Sequence, residues 1–200
     1  MQSRRIGRKI RAELENVELS AYCSSLARAR ETLSEILRCA GRENIKITES
    51  DHLKEMDLGK LEGMSWEERR QKYPEIDLDE KLSSLQAPGG ESYQDIKKRC
   101  RQFIENDLQK ETPESSVIIV SHGITLRVLT NLLLNRPDED INFLNWMENT
   151  ALTELVRAKE KPAWHIVRLN DYSHLGELET AGYETWGLFA KCDYLKNGTE

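Results

Sequence analysis

Four short stretches of this 200-residue chain carry side chains whose types and spacing could do chemistry. The first is Val117-Ile118-Ile119-Val120-Ser121-His122-Gly123. Its four β-branched residues, with no polar alternation, predict a strand of a parallel sheet buried on both faces. Ligands of an open α/β sheet gather beyond the carboxyl ends of its strands. His122 stands at such an end, where a helix begins, and the free amides of a helix N-terminus favour an anion. Gly123 lets a backbone or a ligand come close. A histidine so placed points to phosphate chemistry, and the plainer alternative is a capping or core histidine.

The second stretch, Cys23-Ser24-Ser25-Leu26-Ala27-Arg28-Ala29-Arg30-Glu31-Thr32, also runs from a strand into a helix. Positive side chains oppose the helix dipole at that end. A phosphate would remove the conflict at Arg28, because a guanidinium pairs with it bidentately. Arg30 is two positions on, on another face, and reads as a solvated charge. The third stretch, Glu55-Met56-Asp57-Leu58-Gly59-Lys60-Leu61-Glu62-Gly63, offers Glu55, Asp57 and Glu62. A loop carboxylate of raised pKa can act as a general acid, and spacing does not choose among the three. The fourth, Pro88-Gly89-Gly90-Glu91-Ser92, is a glycine-rich turn into a helix that could lie over a ligand or serve as a plain cap.

The elements that must position these residues alternate. Ile6, Ile10 and Leu14 share one face of an opening helix. Strands are expected over residues 19–23, 45–48, 117–120, 150–156 and 163–169. Helices are expected over 26–39, over 65–72 with Ser65 and Glu68 forming a capping box, over 93–109, and from Gly123 through Leu133. This order predicts an α/β fold, a three-layer sandwich with a mostly parallel central sheet and helices on both faces. Residues 1–175 are expected to form one domain and 176–200 a C-terminal extension, with Trp186 and Phe189 as anchors.

Composition narrows the function classes. Hydrophobic residues make up 38% and charged residues 32%, as in a folded, well-solvated chain. A formal charge of −6 argues against general nucleic-acid binding, while local arginines can still make a positive pocket for a small anion. No apolar run reaches the length of a membrane span. The four cysteines are scattered without a CxxC pair, which fits a reduced, cytoplasmic protein. No ligand spacing supports a zinc site built from them with His52 or His174.

Taken in order, residues 24–32, 55–63, 88–92 and 121–123 resemble the histidine phosphatase (phosphoglycerate mutase-like) superfamily. Weaker likenesses are Asn149-Thr150-Ala151 and Ser173-His174-Leu175. In that family a histidine takes the substrate phosphoryl group as a phosphohistidine and passes it to water or a second substrate. The resemblance implies that His122 is the second histidine of the site, binding phosphate and stabilising the transition state. It implies that Arg28 clamps phosphate, that Glu55 is the acid/base for the leaving oxygen, and that Gly123 shapes the pocket through its backbone. It implies no metal and no cofactor, histidine and arginine neutralising the developing charge, and a small phosphorylated substrate or inorganic phosphate as partner. The short interval from Glu55 to Pro88 resembles the compact phosphatases more than the glycolytic mutases.

The family's first motif, Arg-His-Gly-Glu at the end of a central strand, has no counterpart here. The histidines are His52, His122, His165 and His174, and none lies between Arg and Gly. Residues 1–5 instead resemble the middle of the family's first helix, so the nucleophile-bearing segment is expected upstream of Met1. A genuine short form that binds phosphorylated ligands, or a substitute nucleophile at His122, are the alternatives. Without its first strand the sheet is expected to leave backbone groups unpaired, at about 1–3 kcal/mol for each one buried, unless another strand fills the gap.

Overall fold

The structure, a computed structural model, describes residues 2–76, 81–112, 114–144, 147–158 and 161–176. Trp186 and Phe189 lie outside the described residues. The elements run α1 (Gln2–Lys9), β1 (Leu19–Ser24), α2 (Ala27–Ala40), β2 (Ile47–Ser50), α3 (Trp66–Lys72), α4 (Tyr93–Asn106), β3 (Ser116–Val120), α5 (Gly123–Leu133), β4 (Leu152–Ala158) and β5 (Lys161–Asp171). Beta1, β2 and β3 form a parallel sheet of order β2-β1-β3, and β4 and β5 form a separate antiparallel pair. The α/β class holds, with the parallel sheet between two helical layers.

The alternation of strand side chains sorts the layers. Leu19, Ala21 and Cys23 of β1, with Ile118 and Val120 of β3, face α2, where Ala29, Leu33 and Leu37 recur at helical spacing. Tyr22, Val117 and Ile119 face the other way, into a larger core with Ile96, Cys100 and Phe103 of α4 and Ile124, Val128 and Leu129 of α5. The Tyr22 and Phe103 rings meet edge to face at 5.4 Å. Leu33 and Phe103 are fully buried, and each such side chain contributes about 1.5–3 kcal/mol. The helix starts follow their cap chemistry. Ser65 and Glu68 close a capping box on α3, and Ser92 and Asp95 close one on α4.

Several expectations need correction. Beta2 begins at Ile47 rather than Ile45, α4 ends at Asn106 rather than at 109, and β4 begins at Leu152 rather than at 150. Beta3 was expected to be buried on both faces, yet all five of its residues are only half-buried. The reason lies in its place in the sheet. Beta3 pairs with β1 on one side, and among the described residues no strand pairs with its other edge. The continuous apolar run reports a parallel strand correctly but says nothing about which neighbours are present. The β4–β5 pair is held to the domain by α1. Leu152 packs against the cluster of Ile6, Ile10 and Ile36, as do Ile118 and Val120 of β3. Lys9 pairs with Asp171 and donates to Ser173 Oγ at 2.6 Å, and Arg5 donates to the Leu175 carbonyl at 2.6 Å. Among the described residues no helix is long and apolar enough to cross a membrane.

Candidate active site

Parallel pairing sets Cys23 opposite Val120, so the residues just beyond both strands share one edge of the sheet. Ser24 ends β1, and His122 is the N-cap of α5 with extended backbone. Their side chains meet there, with His122 Nε2 2.9 Å from Ser24 Oγ. Arg28, in the first turn of α2, reaches across and donates from Nε to His122 Nδ1 at 3.2 Å. Arg30 pairs instead with Glu49 at 3.3 Å on the exposed surface, outside this cluster. The face argument for separating the two arginines therefore agrees with the geometry.

The acidic stretch resolves just as clearly. Glu55 Oε2 accepts from the Ile124 amide at 3.3 Å, and Oε1 accepts from the Thr125 and Met56 amides at 3.2 and 2.9 Å. The carboxylate thus lies against the first turn of α5, next to His122. Asp57 is spent on its own turn, accepting from Gly59 N at 2.8 Å, and Glu62 is exposed. One expectation changes with this arrangement. Two of the α5 amides read as open to a substrate anion already serve Glu55, a negative group placed where the dipole favours it. Gly123 opens α5 beside them.

Arg99 was not singled out in the sequence, yet it organises the loops behind the site. Its guanidinium bonds Glu91 through Nε at 2.9 Å and Nη2 at 3.2 Å, and donates from Nη1 to the His52 and Lys54 carbonyls at 2.8 and 2.6 Å. Nη2 also lies 3.4 Å from Thr125 Oγ1, which itself donates to the Lys54 carbonyl at 2.6 Å. Glu91 Oε2 in turn accepts from Asp57 N at 2.9 Å. One side chain of α4 thereby holds the backbone just before Glu55 directly and, through Glu91, the Asp57 amide just after it. A signal was available: Arg99 sits three residues after Ile96 and four before Phe103, inside the apolar stripe of its helix, where a charge needs a partner.

The glycine-rich turn interlocks with the Glu55 loop. Lys60 N donates to the Pro88 carbonyl at 2.9 Å, and Glu91 N donates to the Asp57 carbonyl at 2.8 Å. Gly59 has φ +52, and a Cβ on Gly90 would stand 2.2 Å from the Asp57 carbonyl oxygen. Because both partners are backbone, neither turn can yield cheaply. Gly90→Ala is expected to destabilise the fold by about 3 kcal/mol, at the upper end of overpacking costs, read as a lower urea midpoint. An unchanged midpoint would show that the two turns are not locked.

His122 is buried, and its pKa falls from 6.5 to about 4, first through burial and then through the charges of Arg28 and Arg99. Arginine can only donate, so Nδ1 is the unprotonated nitrogen of a neutral ring and Nε2–H points to Ser24. Ser24 Oγ also accepts from Leu26 N at 3.2 Å. Ser24 is thus an acceptor in this arrangement, and His122 does not act on it as a base. The depressed pKa has a stability consequence. Below pH 6.5 the unfolded chain binds a proton that the folded one refuses until about pH 4. Stability therefore falls with pH across that window, by on the order of 3 kcal/mol in total, and this contribution is fully present above it. Urea unfolding from pH 7 to pH 4 is expected to show this acid limb, and His122→Gln is expected to flatten it. Equal limbs in both proteins would assign the loss to other groups.

The two weaker sequence likenesses also meet, with Thr150 Oγ1 3.0 Å from His174 Nε2. Thr150 holds φ 63, a conformation rare for a β-branched residue. Among the described residues, no three His, Cys, Asp or Glu side chains are arranged to hold a metal ion.

Residues 1–172 match the histidine phosphatase superfamily, branch 1. The chain belongs to that family. This family member is 29% identical over 143 residues to a 2,3-bisphosphoglycerate-dependent phosphoglycerate mutase of Mesorhizobium japonicum, covering 70% of this chain and 69% of that enzyme. It is 32% identical over 128 residues to the enzyme of the same name from Parvibaculum lavamentivorans, covering 62% of this chain and 61% of that one. Among solved structures it resembles Bacillus stearothermophilus YhfR, with 27% identity, TM-score 0.70, and coverage of 87% of this chain and 85% of the other. It shares its fold with mycobacterial glucosyl-3-phosphoglycerate phosphatase, solved with inorganic phosphate, at TM-score 0.72, 23% identity, and coverage of 86% and 85%.

Proposed function

We propose that this protein is a phosphatase of a small phosphorylated metabolite, working through a phosphohistidine whose histidine enters on a segment N-terminal to residue 1. The observation that carries the reading is the convergence of Arg28, His122 and Glu55 at one end of the parallel sheet. The edge of β3 that no described strand pairs also supports it, because an added strand there would end beside His122. In this reading the attacking imidazole forms a P–N bond as the ester P–O bond breaks. Arg28 and His122 hold the equatorial oxygens, and Glu55 is the acid/base through which the leaving alkoxide gains its proton. Water then attacks the phosphorus, a P–O bond forming as the P–N bond breaks; Glu55 takes the water's proton, the imidazole is freed and phosphate leaves. The Gly123 backbone contributes to the wall of the pocket. No cofactor is needed for this sequence, since the charge is met by arginine and histidine.

A second reading is favoured by the relatives named as phosphoglycerate mutases: the phosphoryl group would pass to a second hydroxyl rather than to water. A form extended at the N-terminus to include the nucleophile separates the two when assayed with p-nitrophenyl phosphate and with 3-phosphoglycerate. Hydrolysis is expected, and His122→Ala is expected to abolish it. Transfer between phosphoglycerates without hydrolysis would establish the mutase instead. Hydrolysis that survives His122→Ala would remove the site from the mechanism altogether.

A further inference from the structure

Both ring nitrogens of His122 are engaged within the protein, Nδ1 by Arg28 and Nε2 by Ser24. A ring in that state has no proton to offer an anion. The groups that face it come from every surrounding element. Arg28 comes from α2 and Arg99 from α4, Ser24 closes the β1 side, and the amide end of α5 lies on its own helix. Glu55 lies beside them on the Ile124 and Thr125 amides. Two of these charges are already matched. Arg99 is paired with Glu91, and Glu55 with the helix end. Arg28 meets only a neutral imidazole at this contact. A tetrahedral dianion bound at Arg28 would therefore leave one negative charge uncompensated beside the buried His122 ring and Ser24, where such a charge is costly.

We propose that anion binding at this site is coupled to proton uptake by His122: Arg28 turns from Nδ1 to the anion, and the vacated Nδ1 takes one proton from solvent and donates it as a hydrogen bond to the anion. The inference rests on reading the site as a phosphate site. The step balances simply. One N–H bond forms at Nδ1, one bond to hydrogen breaks in the buffer acid, and the ring gains a single positive charge. Arg28 and the imidazolium together then match the two negative charges. In the free protein, burial and the two arginines keep the ring neutral at pH 7, so the uptake occurs only on binding. By linkage, protons and anion strengthen each other's binding to the same extent.

Sulfate is the probe, because it is a tetrahedral dianion with no proton to give near neutral pH. Calorimetric titration of sulfate into the chain at pH 7, in buffers of different ionisation enthalpy, is expected to show close to one proton taken up per anion. The association constant is expected to rise by up to about tenfold for each unit that the pH is lowered towards 5. His122→Gln can still accept from Arg28 and donate to Ser24, and is expected to bind sulfate with no pH slope. Sulfate binding without proton uptake, or an equal slope in His122→Gln, would overturn the coupling while leaving the anion site in place. Failure to bind sulfate or phosphate at any pH would overturn the site itself. Imidazole nitrogen shifts of the unaltered protein provide a check independent of the variant's folding. Saturating sulfate is expected to move one ring from the Nε2–H tautomer to the doubly protonated form, and a ring that stays neutral would refute the coupling.

Discussion

Arg99→Met is expected to lower the melting temperature by roughly 6–12 °C, since a loss of about 3 kcal/mol shifts a domain of this size by about 2–4 °C per kcal/mol. The size follows from what the guanidinium touches. It gives two bonds to Glu91 and one each to the His52 and Lys54 carbonyls. Methionine fills the volume and donates to none of the four acceptors, of which, among the described residues, only Glu91 Oε2 and the Lys54 carbonyl keep a second donor, the Asp57 amide and Thr125 Oγ1. Glu91 keeps 26% of its side-chain surface in water, so the cost sits at the low end for breaking a buried pair. Arg99→Lys is expected to recover only part of the loss, because an ammonium cannot span a carboxylate and two carbonyls in one plane. The same change loosens Lys54 and hence Glu55, so weaker phosphate binding should accompany the lower melting temperature. A scanning calorimetry trace that overlays the unaltered protein would mean the Arg99 contacts are not held in solution.

Arg28→Gln is expected to have the opposite signature, with a large effect on ligand and almost none on the fold. Arg28 is exposed, and its bond to His122 is a single one. Losing a charged partner costs an anion about 1.5–3 kcal/mol, so phosphate affinity should fall by about ten- to a hundredfold. Stability should hold or rise by about 0.3–1 kcal/mol, because a positive group leaves the first turn of α2, where the dipole opposes it. The His122 pKa should also move upward, since one of the charges depressing it is gone. Phosphate titration followed by thermal shift reads the first two effects, and imidazole shifts read the third. Unchanged affinity would show that phosphate binds elsewhere.

Much of this site is legible in the sequence, and the physical reason differs from residue to residue. Strand-to-helix turns at Ser24 and His122 follow from the change of hydrophobic period on either side. The separation of Arg28 from Arg30 followed from helical geometry alone, as Arg30 pairs with Glu49. The choice of Glu55 over Asp57 and Glu62 did not follow, because all three are loop carboxylates of the same charge. What distinguishes Glu55 is the end of a helix about 70 residues away. Arg99 was overlooked because a charge inside an apolar stripe asks for a partner without naming it. The burial of β3 was overestimated because a run of apolar residues encodes what a strand can bury against, not what lies beside it.

The sequence by itself determined the local structure: where helices start, which faces are apolar, and which histidine and arginine end up at strand ends. Those properties depend on neighbours within a turn or two, whose interactions are encoded contiguously. Only the tertiary structure decided which carboxylate joins them, which nitrogen of His122 carries its proton, and what holds the loops. Arg28 and His122 are 94 positions apart and Arg99 and Lys54 are 45 apart. Contacts of that separation arise from the closing of the sheet and the docking of α4 and α5 upon it.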